Sequence, residues 1–304
     1  MIPKPPPRDT SLGFLYIPPY RVQGMSIAGE ATTVQIPELD IVFDLGACPR
    51  AVLPAKFAAI SHGHMDHVGG LAYWCSQRYF QGMGPGKIVC DSRIAGDIKQ
   101  MMSGFVSLER QRTPYELLPL TPGEDLEIKP NTLLRCFETE HTCPSVGYVI
   151  VEKRTKLKEE YMGLPQDKLT ELKQRGVDIV RHLEIPLVAY MGDTLPGPHM
   201  LHESVRSARV TVTESTFFQA EHRDRAKTGM HLHIDDIAEW LKVATCEAMV
   251  LTHISRRTNL QFARNRLREL VGRDADRVHI LMDHRTNRER YERQADEAER
   301  QARG

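Results

Sequence analysis

The stretch Ser61-His62-Gly63-His64-Met65-Asp66-His67-Val68-Gly69-Gly70 places three imidazoles and a carboxylate within six consecutive positions. The run before it, Phe57-Ala58-Ala59-Ile60, is short and apolar and reads as a buried strand; the run from Val68 to Trp74 opens with glycines and reads as a helix start. The ligand-type residues therefore fall in a strand-to-helix loop. Neutral imidazole and carboxylate suit zinc and similar borderline cations. A His-x-His pair can reach one ion while the Asp-His that follows turns toward a second.

Length and composition narrow what such a site can serve. The chain has 304 residues, 41% of them hydrophobic, enough for one large layered domain or two small ones. Lys+Arg and Asp+Glu both number 40, so no global basic excess points to nucleic acid, and any such contact needs a local patch. The six cysteines (Cys48, Cys75, Cys90, Cys136, Cys143, Cys246) form no C-x-x-C pair. That argues against a disulfide framework and a cysteine zinc site, and favours a reducing, cytoplasmic compartment. No apolar run approaches a membrane span, and the N-terminus shows no signal-peptide h-region.

Outward from the loop, strand and helix patterns interleave as an α/β sandwich requires. The proline-rich opening reads as a flexible lead, taken as residues 1–21. Strands are expected at Thr32–Ile36, Leu39–Leu45, Lys87–Cys90, Glu116–Leu120, Asp125–Ile128 and Val149–Val151, with a helix over Ser92–Phe105. Asp44, at the end of the second strand, reads chiefly as a turn cap, with a bond to backbone groups near the metal loop as the alternative. Residues 153–181 interrupt the pattern with Lys153, Arg154, Lys156 and Lys158, either a solvated insertion or a phosphate-contacting arm. The rest of the domain, 22–284, resumes with three apolar strands whose ends deliver Asp193, Glu214 and His253. Residues 285–304, dense in Arg and Glu, read as a solvated helical or disordered tail. His141, at a strand end, is a candidate third ligand beside His62 and His64.

The ordered series His62-x-His64-x-Asp66-His67, His141 before Pro-Ser-Val-Gly-Tyr, Gly-Asp193-Thr, Glu214-Ser-Thr-Phe, Gly-Met-His231-x-His233 and Leu-Thr-His253-x-Ser-x-Arg257 resembles the short-form tRNase Z family of the metallo-β-lactamase superfamily. The likeness is strongest to plant-type short enzymes, through Phe43-Asp-Leu-Gly-Ala-Cys-Pro-Arg50 and Tyr161-Met-Gly-Leu-Pro. It implies an αββα sandwich with a short inserted arm. It also implies two zinc ions, with manganese or iron as alternatives: His62, His64 and His141 on one, Asp66, His67 and His253 on the other, Asp193 between them. Asp66 would orient and deprotonate water, and Glu214 would hold His231 as leaving-group acid, with His233 the alternative imidazole. The implied substrate is precursor tRNA, cut to leave a 3′-hydroxyl on the tRNA and a 5′-phosphate on the trailer by a homodimer. Lys153, Arg154, Lys156, Lys158 and Arg257 would contact the RNA. Two other readings are a phosphodiesterase for cyclic nucleotides or other RNA on the same fold, and a non-catalytic RNA-binding protein.

Overall fold

The computed structural model describes residues 2–5 and 11–303. Its first sheet runs in chain order: β1 (Gly13–Ile17), β2 (Tyr20–Ile27), β3 (Ala31–Ile36), β4 (Ile41–Phe43), β5 (Phe57–Ile60), β6 (Gly86–Asp91) and β7 (Tyr115–Leu120). The second holds β8 (Asp125–Lys129), β9 (Thr132–Glu138), β10 (Val146–Leu157), β11 (Val180–Tyr190), β12 (Val210–Glu214), β13 (Ala248–Thr252) and β14 (Val278–Ile280). β4 to β7 are mutually parallel, as are β11 to β14. The helices are α1 (Met65–Val68), α2 (Leu71–Phe80), α3 (Ala95–Glu109), α4 (Gln166–Gln174), α5 (Glu203–Arg206), α6 (Arg223–Gly229), α7 (Ile234–Leu241), α8 (Leu260–Val271) and α9 (His284–Arg303).

Strand alternation builds the layers. On β5, Phe57 and Ala59 face the core between the sheets, where Phe43, Tyr148 and Tyr190 lie, while Ala58 and Ile60 face Leu71, Trp74 and Ile98 of α2 and α3. On β13, Ala248 and Val250 face inward, while Met249 and Leu251 meet Ile237, Trp240 and Leu267 of α7 and α8. Two sheets packed face to face with helices outside give an αββα sandwich, and both parallel sets end on one edge. That edge carries the ligand-type residues.

Two expectations change and two are sharpened. Gly13–Ile17 and Tyr20–Ile27 are strands, so the lead read as 1–21 is already sheet from Gly13; residues 1 and 6–10 of it lie outside the described residues. The strand expected at Leu39–Leu45 spans only Ile41–Phe43, because a turn at Pro37–Leu39 ends with Asp40 at φ 54° and Asp44 leaves the sheet at φ 53°. Residues 153–181 do not interrupt the sheet. β10 and β11 run on as a ribbon from Glu152↔Ile185 to Leu157↔Val180, and the tip carries α4. The tail read as 285–304 is α9, covering the edge strand: Tyr291 meets Phe14 at 5.6 Å between ring centroids, and Gln294 Nε2 donates to the Tyr16 carbonyl at 3.1 Å. An edge strand needs such a cover.

One buried imidazole predicts acid lability. His199 is 6% exposed, stacked 6.2 Å from Phe137, with Thr194 Oγ1 at 3.3 Å. Burial first, then the nearby His202, push its pKa down from 6.5 to about 4. In that window the unfolded chain binds the extra proton and the folded chain does not, so stability falls as pH drops from 6.5 toward 4. The loss is about 3 kcal/mol when complete. Denaturant unfolding at pH 7 and pH 4 of wild type and His199→Gln checks this: the variant should lose less, and equal losses would exclude His199.

Candidate active site

The edge where the parallel strands end gathers the sequence-predicted residues. His62 follows β5, Asp66 and His67 sit in α1, His141 lies between β9 and β10, and Asp193 follows β11. Glu214 ends β12, and His253 follows β13. Two devices aim these side chains. Gly192 turns the chain at φ 62°, where an added Cβ would stand 2.7 Å from Ser61 Cβ, so only glycine carries Asp193 in. His253 itself takes φ 54°, a strained value for a residue with a side chain.

Hydrogen bonds to outer partners set the tautomers of His62, His141 and His253 and turn the Nε2 lone pair of each inward. Ser61 Oγ donates to Asp44 Oδ2 at 2.8 Å and so accepts from His62 Nδ1 at 2.9 Å, which turns the His62 Nε2 lone pair inward. His141 Nδ1 donates to the Met230 carbonyl at 2.9 Å. His64 Nδ1 then lies 3.0 Å from His62 Nε2 and 3.3 Å from His141 Nε2, and can donate to only one of them. Thr216 Oγ1 donates to Glu214 Oε2 at 2.6 Å and accepts from His253 Nδ1 at 3.0 Å. The His253 Nε2 lone pair consequently faces Asp66 Oδ2 and Asp193 Oδ2, each at 3.2 Å. His67 Nδ1 donates to Asp44 Oδ2 at 2.7 Å, while its buried Nε2 makes no hydrogen bond and stands 3.3 Å from Asp193 Oδ2.

Lone pairs facing lone pairs and carboxylates are repulsive unless a cation lies among them. The donor set of imidazole and carboxylate, each held by an outer partner, fits a divalent cation. Asp66, His67 and His253 offer ligand atoms all within 4.8 Å of one another; Asp193 groups in the same way with His62 and His67, and with His141 and His231. Burial holds the pKa values of His62, His64 and His141 below the ordinary histidine value, so these rings are neutral and ready to ligate. His67 differs: burial opposes its charge, but Asp193 and Asp44 outweigh it and raise its pKa, and a cation would take the electron pair that otherwise keeps the proton.

His231 stands at the border of the cluster. Its Nδ1 is 2.9 Å from Glu214 Oε1 and 3.9 Å from Asp193 Oδ2. Burial disfavours its charged form, yet the Glu214 charge and hydrogen bond, with Asp193, raise it to about 9. His233 is elsewhere: it caps α7, accepting from Asp235 N at 3.2 Å, and its Nε2 donates to the Gln219 carbonyl at 2.9 Å. Arg257 is exposed in the loop after β13. Lys153, Arg154, Lys156 and Lys158 lie along the ribbon rather than at the cluster. Arg154 pairs with Glu152 at 2.6 Å and Lys158 with Asp178 at 3.2 Å.

Sequence reading undervalued Asp44 and missed Thr216 and Cys143. Asp44 is fully buried and accepts from Ser61 N, Ser61 Oγ, His67 Nδ1 and Tyr190 Oη at 2.5 to 2.8 Å. Only its place at a strand end signalled this. The Cys143 thiol groups with His62 and His64 within 4.8 Å, at the rim of a cavity of about 340 Å³ lined by Met65, Ile94, Ile98 and Met101.

Known proteins match this sequence and fold. A family model described as Anti-Pycsar protein Apyc1 matches residues 46–274. The chain is 33% identical over 266 residues to the tRNase Z TRZ2, chloroplastic, of Arabidopsis thaliana, covering 85% of this chain and 74% of that protein. Two solved structures share the fold. The metallo-β-lactamase fold protein YhfI from Bacillus subtilis superposes with TM-score 0.57 at 13% identity, covering 88% of this chain and 95% of its own. Human tRNase Z, short form, superposes with TM-score 0.56 at 16% identity, covering 90% and 96%. The chain therefore belongs to the family that the Apyc1 model describes and, with its plant relative, to the tRNase Z (ribonuclease Z) group of metal-dependent nucleases on the metallo-β-lactamase fold.

Proposed function

We propose that this chain removes the 3′ trailer from precursor tRNA, leaving a 3′-hydroxyl on the tRNA and a 5′-phosphate on the trailer. The observation that carries this is the Glu214–His231 pair at 2.9 Å, an imidazole whose proton the Glu214 carboxylate favours, set at the border of a cation-ready cluster, where an alkoxide leaving group needs a proton. The plant relative's name supports the substrate.

His62, His64 and His141 would hold one divalent cation and Asp66, His67 and His253 another, with Asp193 shared; zinc suits the nitrogen and oxygen donors. When bound, such ions neutralise phosphate charge and make hydroxide available at neutral pH. Asp66 orients the attacking water and takes its proton. As the bond from phosphorus to the 3′-oxygen breaks, His231 passes its Nε2 proton to that oxygen, and Glu214 steadies the ring through Nδ1. The ribbon with α4 at its tip reaches away from the site and holds the RNA body, as a homodimer in the reading we favour. Over residues 153–181 it carries eight Lys/Arg against five Asp/Glu, a surplus that draws phosphate without reading bases.

Cleavage of a 3′-extended precursor tRNA, mapped to the nucleotide with a bis-aryl phosphodiester alongside, tests the proposal. A single cut at the 3′ end of the tRNA body, lost with chelator and restored by zinc, is the expected result. Replacing residues 158–179 by a tight turn should lower tRNA cleavage about 10²-fold by misplacing the substrate, with diester hydrolysis unchanged. Equal loss on both substrates would assign the ribbon a folding role.

A second reading, a phosphodiesterase for cyclic nucleotides or other RNA, is favoured by one feature. Several arm cations are already paired, Arg154 with Glu152, Lys158 with Asp178 and Arg181 with Glu159, and are thereby less available to a polyanion. Diester hydrolysis without tRNA cleavage would select it. Among the described residues no helix is long and apolar enough to cross a membrane, and all six cysteines are free, as suits a reducing compartment.

A further inference from the structure

Away from the cluster, α8 and α9 face each other across a polar groove closed at its base by β14. On α8, Gln261, Arg264 and Arg268 recur at helical spacing; on α9, Asn287, Arg290 and Arg293 do the same. They border a cavity of about 310 Å³, at the lower end of the range for small-ligand sites, about 300–1,000 Å³. Its β14 and α9 walls lie beyond residue 274, where the family match ends.

The charges in the groove are unevenly satisfied. Arg264 pairs with Asp283 and donates to Gln261 Oε1 at 2.5 Å, and Arg268 pairs with Asp276 at 3.3 Å. Both lining carboxylates are thereby engaged. Arg290 and Arg293 have no carboxylate partner among the described residues, and Arg290 Nε is buried without any hydrogen bond. Asn287 Nδ2 cannot relieve them, because it is a donor and is committed to the carbonyls of Ile280 and Leu281 at 3.0 Å each. Burial first, and then the charge of Arg293, disfavour the charged form of Arg290. A half-buried guanidinium with an orphan donor beside a like charge is unfavourable on its own. The juxtaposed charges become favourable when an anion with several acceptor oxygens enters the groove, and the planar guanidinium fork matches phosphate in particular.

We propose that the α8–α9 groove is a phosphate-binding site in which Arg290 and Arg293 grip one phosphate group. The cavity has room for more than the bare ion, so the phosphate comes either from a free anion or nucleotide, or from an RNA backbone. The chemistry of the grip is the same in each case. Arg264 and Arg268 are neutralised by their aspartates, so the net positive charge of the groove comes from Arg290 and Arg293.

Thermal unfolding of the full-length protein with inorganic phosphate, AMP or a 3′-extended tRNA tests this, each against chloride at equal ionic strength. The same titrations are run on R290Q/R293Q and R290K/R293K. The active-site cations are common to all three proteins, so the difference between them reports the groove. Phosphate should raise the wild-type Tm by a few degrees more than that of the glutamine variant, with the lysine variant between them. Without ligand the glutamine variant should melt at or above wild type, since it loses only a like-charge contact. A response to all three probes assigns free phosphate and nucleotides; a response to RNA alone assigns the polynucleotide backbone. Equal responses of wild type and glutamine variant to every probe would overturn the site. A lower ligand-free Tm in the glutamine variant would overturn it too, by giving the two arginines a structural role.

Discussion

Replacing His231 with alanine should lower turnover of a 3′-extended RNA by about 10²–10⁴-fold while leaving the bound-metal content unchanged. The reason is the division of labour around the ring. Nδ1 faces Glu214 at 2.9 Å, and the remaining nitrogen is the one free to meet the leaving oxygen. Glu214 is itself fixed by Thr194 N at 3.0 Å and Thr216 Oγ1 at 2.6 Å, so the pair is rigid before substrate arrives. A ribose 3′-oxygen is a poor leaving group that needs this proton, whereas an aryl oxide leaves without one. The same variant should therefore keep most of its hydrolysis of a bis-aryl phosphodiester. Metal analysis and the two rates together decide the matter. Loss of metal would make His231 a ligand, and equal loss on both substrates would remove its role as acid.

The second large effect belongs to Asp44. Asp44→Ala should destabilise the fold by about 3–5 kcal/mol and weaken metal binding about 10–100-fold. The carboxylate is fully buried and accepts from Ser61 N, Ser61 Oγ, His67 Nδ1 and Tyr190 Oη, so its removal takes the acceptor from four buried donors. Tyr190 also stacks on Phe43 at 4.7 Å between centroids, which ties this polar hub to the core between the sheets. Denaturant unfolding with a chelator present isolates the folding effect, and metal titration of the folded variant isolates the positioning effect. Unchanged stability under chelator would show that the hub does not support the core. Unchanged metal affinity would show that Asp44 does not set the His67 tautomer.

Asp44 also marks where sequence reading stopped. Its place at the end of a strand was legible, and a turn cap was the economical interpretation for one carboxylate before Leu45-Gly46. The donors that surround it come from Ser61, His67 and Tyr190, between 17 and 146 positions away along the chain, so nothing local announced them. Thr216 was silent for the same reason, since its role depends on His253 lying 37 residues on. His231 and His233 likewise separate only in three dimensions, where one ring faces Glu214 and the other caps α7.

What the sequence determined by itself rests on local periodicity and chemistry. Apolar runs that end in ligand-type residues located Phe57–Ile60 before His62 and the strands leading to Asp193, Glu214 and His253, because a buried strand's pattern and its exit residue are written in consecutive positions. The tertiary structure alone decided that 153–181 continues two strands as a ribbon, that Gly13–Ile17 is sheet, and that α9 covers it. Charged residues on a ribbon or an outer helix carry little apolar periodicity, and their place is set by partners distant in the chain. The unpaired arginines of the α8–α9 groove follow the same rule: two cations one helical turn apart look like any solvated face until a second helix and a strand form a groove beside them.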